Sequence, residues 1–558
     1  MSVRGNPAAA SAAAGDEGGE TAEELLARVA GMVPAAVDAA TTAAGFPGRW
    51  KAIAAKLRTL PDRLSDLSSH PCFTRNALCR ELLQSVAATL ADAAELAARP
   101  PGAGKLQMQS AIDALGARLD VNIRDCTLLV RTGVLSDAST PPPAAAKTDV
   151  RELLARLQIG HGEAKGRAVD GLLDALNKDE KSVLSALGRA SVAALVQLLT
   201  APAPAVREKA ATVVCQLADS GNCEALLVSE GAVAPLLRLA ESGSSLAARE
   251  KAVLTLHRLS ACPDAARAIA GHGGARPLVE ICQTGDSVSQ AAAAGALKNL
   301  SAVPEALRAL ADEGIVRVMV GLLDHGTVLG SKEHAADCLE NLTSASDGFR
   351  LAVASDGGLR SLLLHLDAPS PRESAVRALG NIVCAVAPDT LVSLGALPRL
   401  AHVLRAGSTG AQQAAASAVC KIAGSGERDM KRLLGEHGCV PPLVRMLDAK
   451  SAGAREAAAQ ALASLAAHPA NAREARRDDR SVPSLVQLLD PAPANSAKKY
   501  AIACLLALSS AKRCKKQMIS HGAIGYLKKL TDMEVAGAGD LLQRLEDRGG
   551  LRSIFSNG

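Results

Sequence analysis

Three asparagines, Asn299, Asn341 and Asn381, stand 42 and 40 residues apart, each near the end of a stretch rich in Ala and Leu. A primary amide donates through its NH2 and accepts through its oxygen, so one side chain can pair with both the C=O and the N–H of a peptide unit. The same period reaches Arg258 and Lys421, with Gln216, Ser464 and Ala507 farther out, so the amide series is central and incomplete. The alternative use of these amides is hydrogen bonding between neighbouring helices. A second group is cationic. Residues 491–531 contain no acid and eight bases: Lys498, Lys499, Lys512, Arg513, Lys515, Lys516, Lys528 and Lys529. The chain carries a formal charge of +5, which leaves about −3 for the remainder. Such a basic patch suits an acidic protein segment or an anionic membrane surface. It equally suits a solvated face closing a repeat array. Nucleic acid is disfavoured, because base-reading motifs and interleaved aromatics are missing.

Bond-making chemistry finds no support. Residues 160–166, GHGEAKG, hold a lysine among glycines but lack the terminal Lys-Ser/Thr of a phosphate-binding loop. AGSTG around Ser408 begins with Ala and is read as joining two helices, which is not the strand-to-helix elbow of a serine nucleophile. The eleven histidines form no H-E-x-x-H and no H-x-x-x-H pair. His272, His437 and His521 each precede a glycine, where a histidine serves the last carbonyls of a helix. The thirteen cysteines are scattered without a C-x-x-C pair, and Cys215, Cys384 and Cys420 fall late in expected helices as small buried hydrophobes. No catalytic residue, metal site or cofactor is expected.

Composition narrows the class further. Of 558 residues, 48% are hydrophobic but only seven are aromatic, which excludes functions built on base-stacking platforms. The longest uncharged run, 190–206, holds polar residues and two prolines and falls short of a bilayer. The start has neither the layout of a signal peptide nor that of a transit peptide. With unpaired, reduced thiols, the expected location is cytoplasmic, nuclear or both.

Positioning these residues requires helices, and a repeat supplies them. A glycine followed by an aliphatic run recurs at Gly231, Gly273, Gly314, Gly357, Gly395, Gly438 and Gly522, and the same phase falls on Thr148, Ala190 and Arg480. Successive steps are 42, 41, 42, 41, 43, 38, 43, 42 and 42 residues. Each period holds a short helix running into the glycine, a second helix such as APLLRLAES, and a third such as VSQAAAAGALKNLS, with apolar residues at i, i+3/i+4 and i+7. Glycine allows the reversal because it tolerates positive φ. No single period could bury its own apolar face, so stability must come from stacking.

This period resembles the armadillo repeat from about Thr148 onward; ALKNLS, CLENLT and ALGNIV approximate its A-x-x-L-x-N-L ending. The resemblance implies an all-α fold, a right-handed α-solenoid, with the third helices lining a concave surface where the Asn grips the backbone of an extended peptide. Neighbouring repeats stacked about 10 Å apart match about three residues of extended chain. Importin-type armadillo proteins place a Trp four residues before each Asn; here those positions are Gly295, Asp337 and Arg377, which excludes an import receptor.

Ahead of the array, residues 22–135 read as four helices without the period, a helical bundle with a core stripe at Leu78, Leu82, Leu83, Val86 and Leu90. Residues 1–21 read as disordered and 136–147 as a Pro/Ala linker. The array, 148–558, is expected to hold about 9–10 repeats and a final cap helix within 533–555. A bundle, a linker and an armadillo array resemble the plant U-box armadillo proteins, here without the U-box. The function implied is a non-enzymatic adaptor or scaffold that binds an extended partner segment through Asn299, Asn341, Asn381, Arg258 and Lys421. A substrate-recognition subunit of a ubiquitin-ligase assembly is the first alternative. The second is a scaffold attached to anionic membranes through the basic end.

Overall fold

A computed structural model describes residues 20–71, 73–99, 105–131, 150–159, 162–243, 245–368, 372–425 and 428–546. Of the stretch 1–21 expected to be disordered, residues 1–19 lie outside them, as do the linker 136–147, the first anchor Thr148 and the tail of the cap beyond 546; Glu20 and Thr21 are described, and Thr21 caps the first helix. Among the described residues the regular structure is helical throughout, as 32 α-helices and three short 3-10 segments. No helix there is long and apolar enough to cross a membrane. The chain divides into two compact units at Thr255/Leu256.

The first unit opens with four long helices, α1 (Ala22–Thr42), α2 (Pro47–Ser68), α3 (Ala77–Ala98) and α4 (Lys105–Arg131). Thr21 caps α1 through a reciprocal box with Glu24, which satisfies two backbone donors at once. Asn76 caps α3 by accepting from the Leu78 N–H. α1 packs on α2 and α3, and α4 covers α2 and α3. The stripe at Leu78, Leu82, Leu83, Val86 and Leu90 is buried, as its spacing predicts. α1 and α2 run through Pro34 and Pro61, where an isolated helix would kink or stop. Burial on both sides of each proline (Val33 and Ala36, Leu60 and Leu64) holds the helix across it. The same core cluster takes in Ala155 and Ile159, beside an Arg156–Glu81 ion pair of 3.3 Å.

The second unit is a stack of three-helix repeats. Its third helices pack in series: Ser287–Ser301 on Leu329–Ala345, then Glu373–Ile382, Thr409–Ala423, Ala452–Ala466 and Lys498–Leu508. Ala292, Ala293, Ala296, Ala335, Ala375, Ala415 and Ala458 are all buried, the close approach that small side chains permit. The repeat glycines sit at positive φ; Gly314, at φ 66°, caps the helix Ile315–His325. A Cβ added there would meet nothing within 4 Å, so only backbone strain opposes a side chain. Gly314→Ala is therefore expected to cost about 1 kcal/mol, and Gly314→Asn less, read as shifts in thermal midpoint. Arg480 takes the same phase at φ −78°. There the reversal is held by Asp478, whose carboxylate accepts the Arg480 N–H at 3.1 Å and pairs with its guanidinium at 3.2 Å.

Candidate functional site

The asparagine series lies near the ends of stacked third helices in the second unit. Asn299 Nδ2 donates to Ser260 Oγ at 2.9 Å. Asn341 Nδ2 donates to Ser301 Oγ at 3.0 Å and to the Lys298 carbonyl at 3.1 Å. Asn381 Nδ2 donates to Thr343 Oγ1 at 3.2 Å and Ser344 Oγ at 3.0 Å. Each amide therefore clasps the preceding third helix through the hydroxyl two residues beyond that helix's own ladder position. Sequence reasoning missed these hydroxyl partners, although N-L-S at Asn299 and N-L-T at Asn341 write amide and hydroxyl side by side. Where Val383 replaces the hydroxyl, Lys421 takes over: its Nζ reaches the Gly380 carbonyl at 2.8 Å and Asn381 Oδ1 at 3.5 Å.

The clasp uses the donor half of each amide. No described residue donates to the side-chain oxygens of Asn299 and Asn341, and both residues are half-buried. The clasp thus fixes the amide plane and leaves an acceptor for a passing peptide N–H. Arg258, at the same phase, is half-buried, and Lys421 is exposed. Over Asn381 lies an open recess of about 320 Å³, lined by Glu340, Ser344, Arg377, Gln413 and Lys421 among others. Ion pairs crowd this surface: Arg377 with Glu340 at 3.1 Å and with Glu373, and Arg372 with Glu333 at 2.9 Å and Asp337 at 3.2 Å. Two positions where importin-type proteins carry Trp, Asp337 and Arg377, are thus ion-paired within the array itself.

The third, Gly295, is covered. The His257 ring lies against it and meets the His334 ring edge-on, centroids 5.3 Å apart. Burial pushes His257 down to about 4, and the neighbouring charges of His334, Lys298 and Arg258 act in the same direction. His334 is also lowered, by burial first and then by Lys298, and its Nδ1 is buried without a hydrogen-bond partner among the described residues. Both rings are therefore neutral near pH 7.

The basic residues are divided between structural and free roles. Lys498 holds the carbonyls of Pro491 and Ala492, Arg513 pairs with Asp479, Lys515 donates to the Arg544 carbonyl at 2.9 Å, and Lys528 lies 3.9 Å from Glu546. Lys499 lies over the Tyr500 ring, 4.8 Å from its centroid. Lys512, Lys516 and Lys529 are exposed and face no acid within ion-pair distance among the described residues. His521 Nδ1 lies 2.8 Å from the Gln517 carbonyl, the helix-end arrangement its place before Gly522 predicts. Cys215 is buried and Cys420 half-buried, but Cys384 is exposed, against expectation. Its helix ends at Ile382, and the 3-10 turn Val383–Ala385 turns the thiol outward. No disulfide joins any of the twelve described cysteines.

Comparisons with known proteins fit this geometry. Residues 428–467 match the armadillo/beta-catenin-like repeat, the span of the three helices Arg428–Glu436, Val440–Met446 and Ala452–Ala466. Residues 27–134, spanning most of α1 through α4, match a domain of unknown function, DUF7032. No curated protein matches. Among solved structures, an engineered protein from the Northeast Structural Genomics Consortium is 28% identical, with a TM-score of 0.61 over 71% of this chain and 98% of its own. A second engineered protein from the same consortium is 29% identical over 42% of this chain and 97% of its own, with a TM-score of 0.39. The stacked three-helix periods, the repeat match and the first of these structures together support an all-α solenoid of the armadillo type.

Proposed function

We propose that this chain is a non-enzymatic adaptor that binds an extended polypeptide segment along the third-helix surface of residues 256–558. The observation that carries the reading is the pair of acceptor oxygens on Asn299 and Asn341, held in place by the clasp and facing no donor of the described chain. A peptide laid across the stack meets these two acceptors in successive repeats, and the mixed charges of Glu340, Arg377 and Lys421 beside Asn381 then select its side chains. The armadillo-type fold supports an interaction scaffold. In this reading residues 22–135 form a helical docking module, its core shared with Ala155 and Ile159, of the kind seen in plant U-box armadillo proteins but without the U-box. A cytoplasmic or nuclear location accompanies this reading.

The test compares partners captured by proximity labelling of the full chain. Asn299→Ala/Asn341→Ala/Asn381→Ala removes the acceptors and the clasp together; Ser260→Ala/Ser301→Ala/Thr343→Ala weakens the clasp and keeps the acceptors. We expect a set of partners lost in the first variant and kept in the second, with thermal midpoints lowered similarly in both. Retention of the same partners in the asparagine variant would overturn the assignment.

A further inference from the structure

The basic end of the chain has a composition and a shape that the groove reading does not use. The helix Ala523–Asp532 buries Ala523, Leu527 and Leu530 on one face. Its opposite face presents Gly525, Tyr526 and Lys529, and Met533 follows one turn on. Tyr526 is 36% and Met533 48% exposed, in a chain with only two tyrosines. Contacts with Ala538–Glu546 tie this helix to the neighbouring basic ones. Lys528 approaches Glu546 and Lys515 caps the Arg544 carbonyl, so the helices Lys512–Ser520 and Ala523–Asp532 meet at the same end of Ala538–Glu546. Arg476, from Pro469–Arg477, reaches Ser510 Oγ at 2.7 Å, and Arg513 pairs with Asp479. The outer faces of these helices therefore adjoin, carrying Arg473, Lys512, Lys516 and Lys529 as exposed cations outside any ion pair of the described chain. One acid, Asp532, shares that face between Lys529 and Met533, and Glu534 and Asp540 follow beyond it.

From this juxtaposition of free cations on three adjoining helices with an exposed tyrosine and methionine near Lys529, we infer that the last repeats dock on an anionic phospholipid bilayer. The surface differs from a peptide groove in its elements: its cations stand on first and second helices, whereas the amide series stands on third helices. An acidic peptide is recognised by ion pairs and hydrogen bonds in a cleft. A bilayer accepts a row of lysines at its headgroups and takes an amphipathic ring and a thioether into the interface. Tyr526 and Met533 both suit a lipid interface. The inference stands independently of the groove, since it shares no residue with the amide series.

Co-sedimentation of the full chain with vesicles tests it. Phosphatidylcholine vesicles containing roughly 20 mol% phosphatidylserine should bind the protein, and phosphatidylcholine alone should not; about 0.5 M salt should release it. Lys512→Glu/Lys516→Glu/Lys529→Glu should lower partitioning at least tenfold. None of these lysines holds a structural contact, so circular dichroism should be unchanged. Tyr526→Ser/Met533→Ser should lower partitioning several-fold while leaving its salt dependence intact. Equal binding to neutral vesicles overturns the inference. So does full binding by the lysine variant, or lysine-dependent capture of a poly-glutamate peptide without any capture of the vesicles.

Discussion

Gly295→Ala is expected to destabilise the second unit by about 1 kcal/mol net, even though alanine is the better helix former. A Cβ at Gly295 would lie 2.7 Å from Cδ2 and Cε1 of His257, and closer still to Nε2. The backbone of the helix Ser287–Ser301 is fixed by its stack, so the ring has to leave. It gives up its cover over Gly295 and its edge contact with His334. Overpacking of this kind costs about 1–3 kcal/mol, against a propensity gain of about 1 kcal/mol for replacing a mid-helix glycine. His257→Ala in the same chain removes the obstacle. The double variant should recover most of the loss, a coupling of about 1–2 kcal/mol in a double-mutant cycle of thermal midpoints. If the two effects simply add, the ring is not what confines Gly295.

Acid should loosen the same place. His257 titrates at about 4 in the folded chain against an ordinary 6.5, so the unfolded chain takes up the proton first as pH falls. The contribution to stability is complete above about 6.5 and disappears progressively toward pH 4. At most it amounts to about 3 kcal/mol for His257 alone, with His334 acting in the same direction. Amide hydrogen exchange in the helix Ser287–Ser301 reads local opening without requiring the whole array to unfold as one unit. Protection there should fall between pH 7 and pH 5. His257→Gln/His334→Gln should flatten that dependence; an unchanged slope would place the responsible group elsewhere.

How much of this was legible in the sequence differs by physical cause. The repeat phase could be read because positive φ has a residue signature: Gly231, Gly273, Gly314, Gly357, Gly395, Gly438 and Gly522 all adopt it. Arg480 marks the same phase without that signature, since Asp478 supplies the turn through its side chain. Helix lengths in the bundle were less legible. Pro34 and Pro61 stand where proline ordinarily kinks or stops a helix, and only tertiary burial decides that the helices continue. Cys384 was misread for a related reason: apolar periodicity does not say where a helix tightens into a 3-10 turn. The amide series was visible, as were both uses open to it, and the donor half proves to serve neighbouring helices. Its hydroxyl partners were written two residues downstream but have meaning only once the repeats stack. The His257–His334 pair was hidden entirely, because it joins helices two repeats apart and needs the absent side chain of Gly295 between them.

The amide–hydroxyl clasp has a consequence for how the array comes apart. It links the third helices carrying Ser260, Asn299, Asn341 and Asn381, and it lapses where Ser464 and Ala507 occupy the ladder phase. In a one-dimensional stack, neighbour coupling sets how far a local opening spreads. Melting therefore advances inward from the C-terminal margin and meets its resistance at the clasped repeats. Those repeats, which also present the acceptor oxygens, are the last to lose their register.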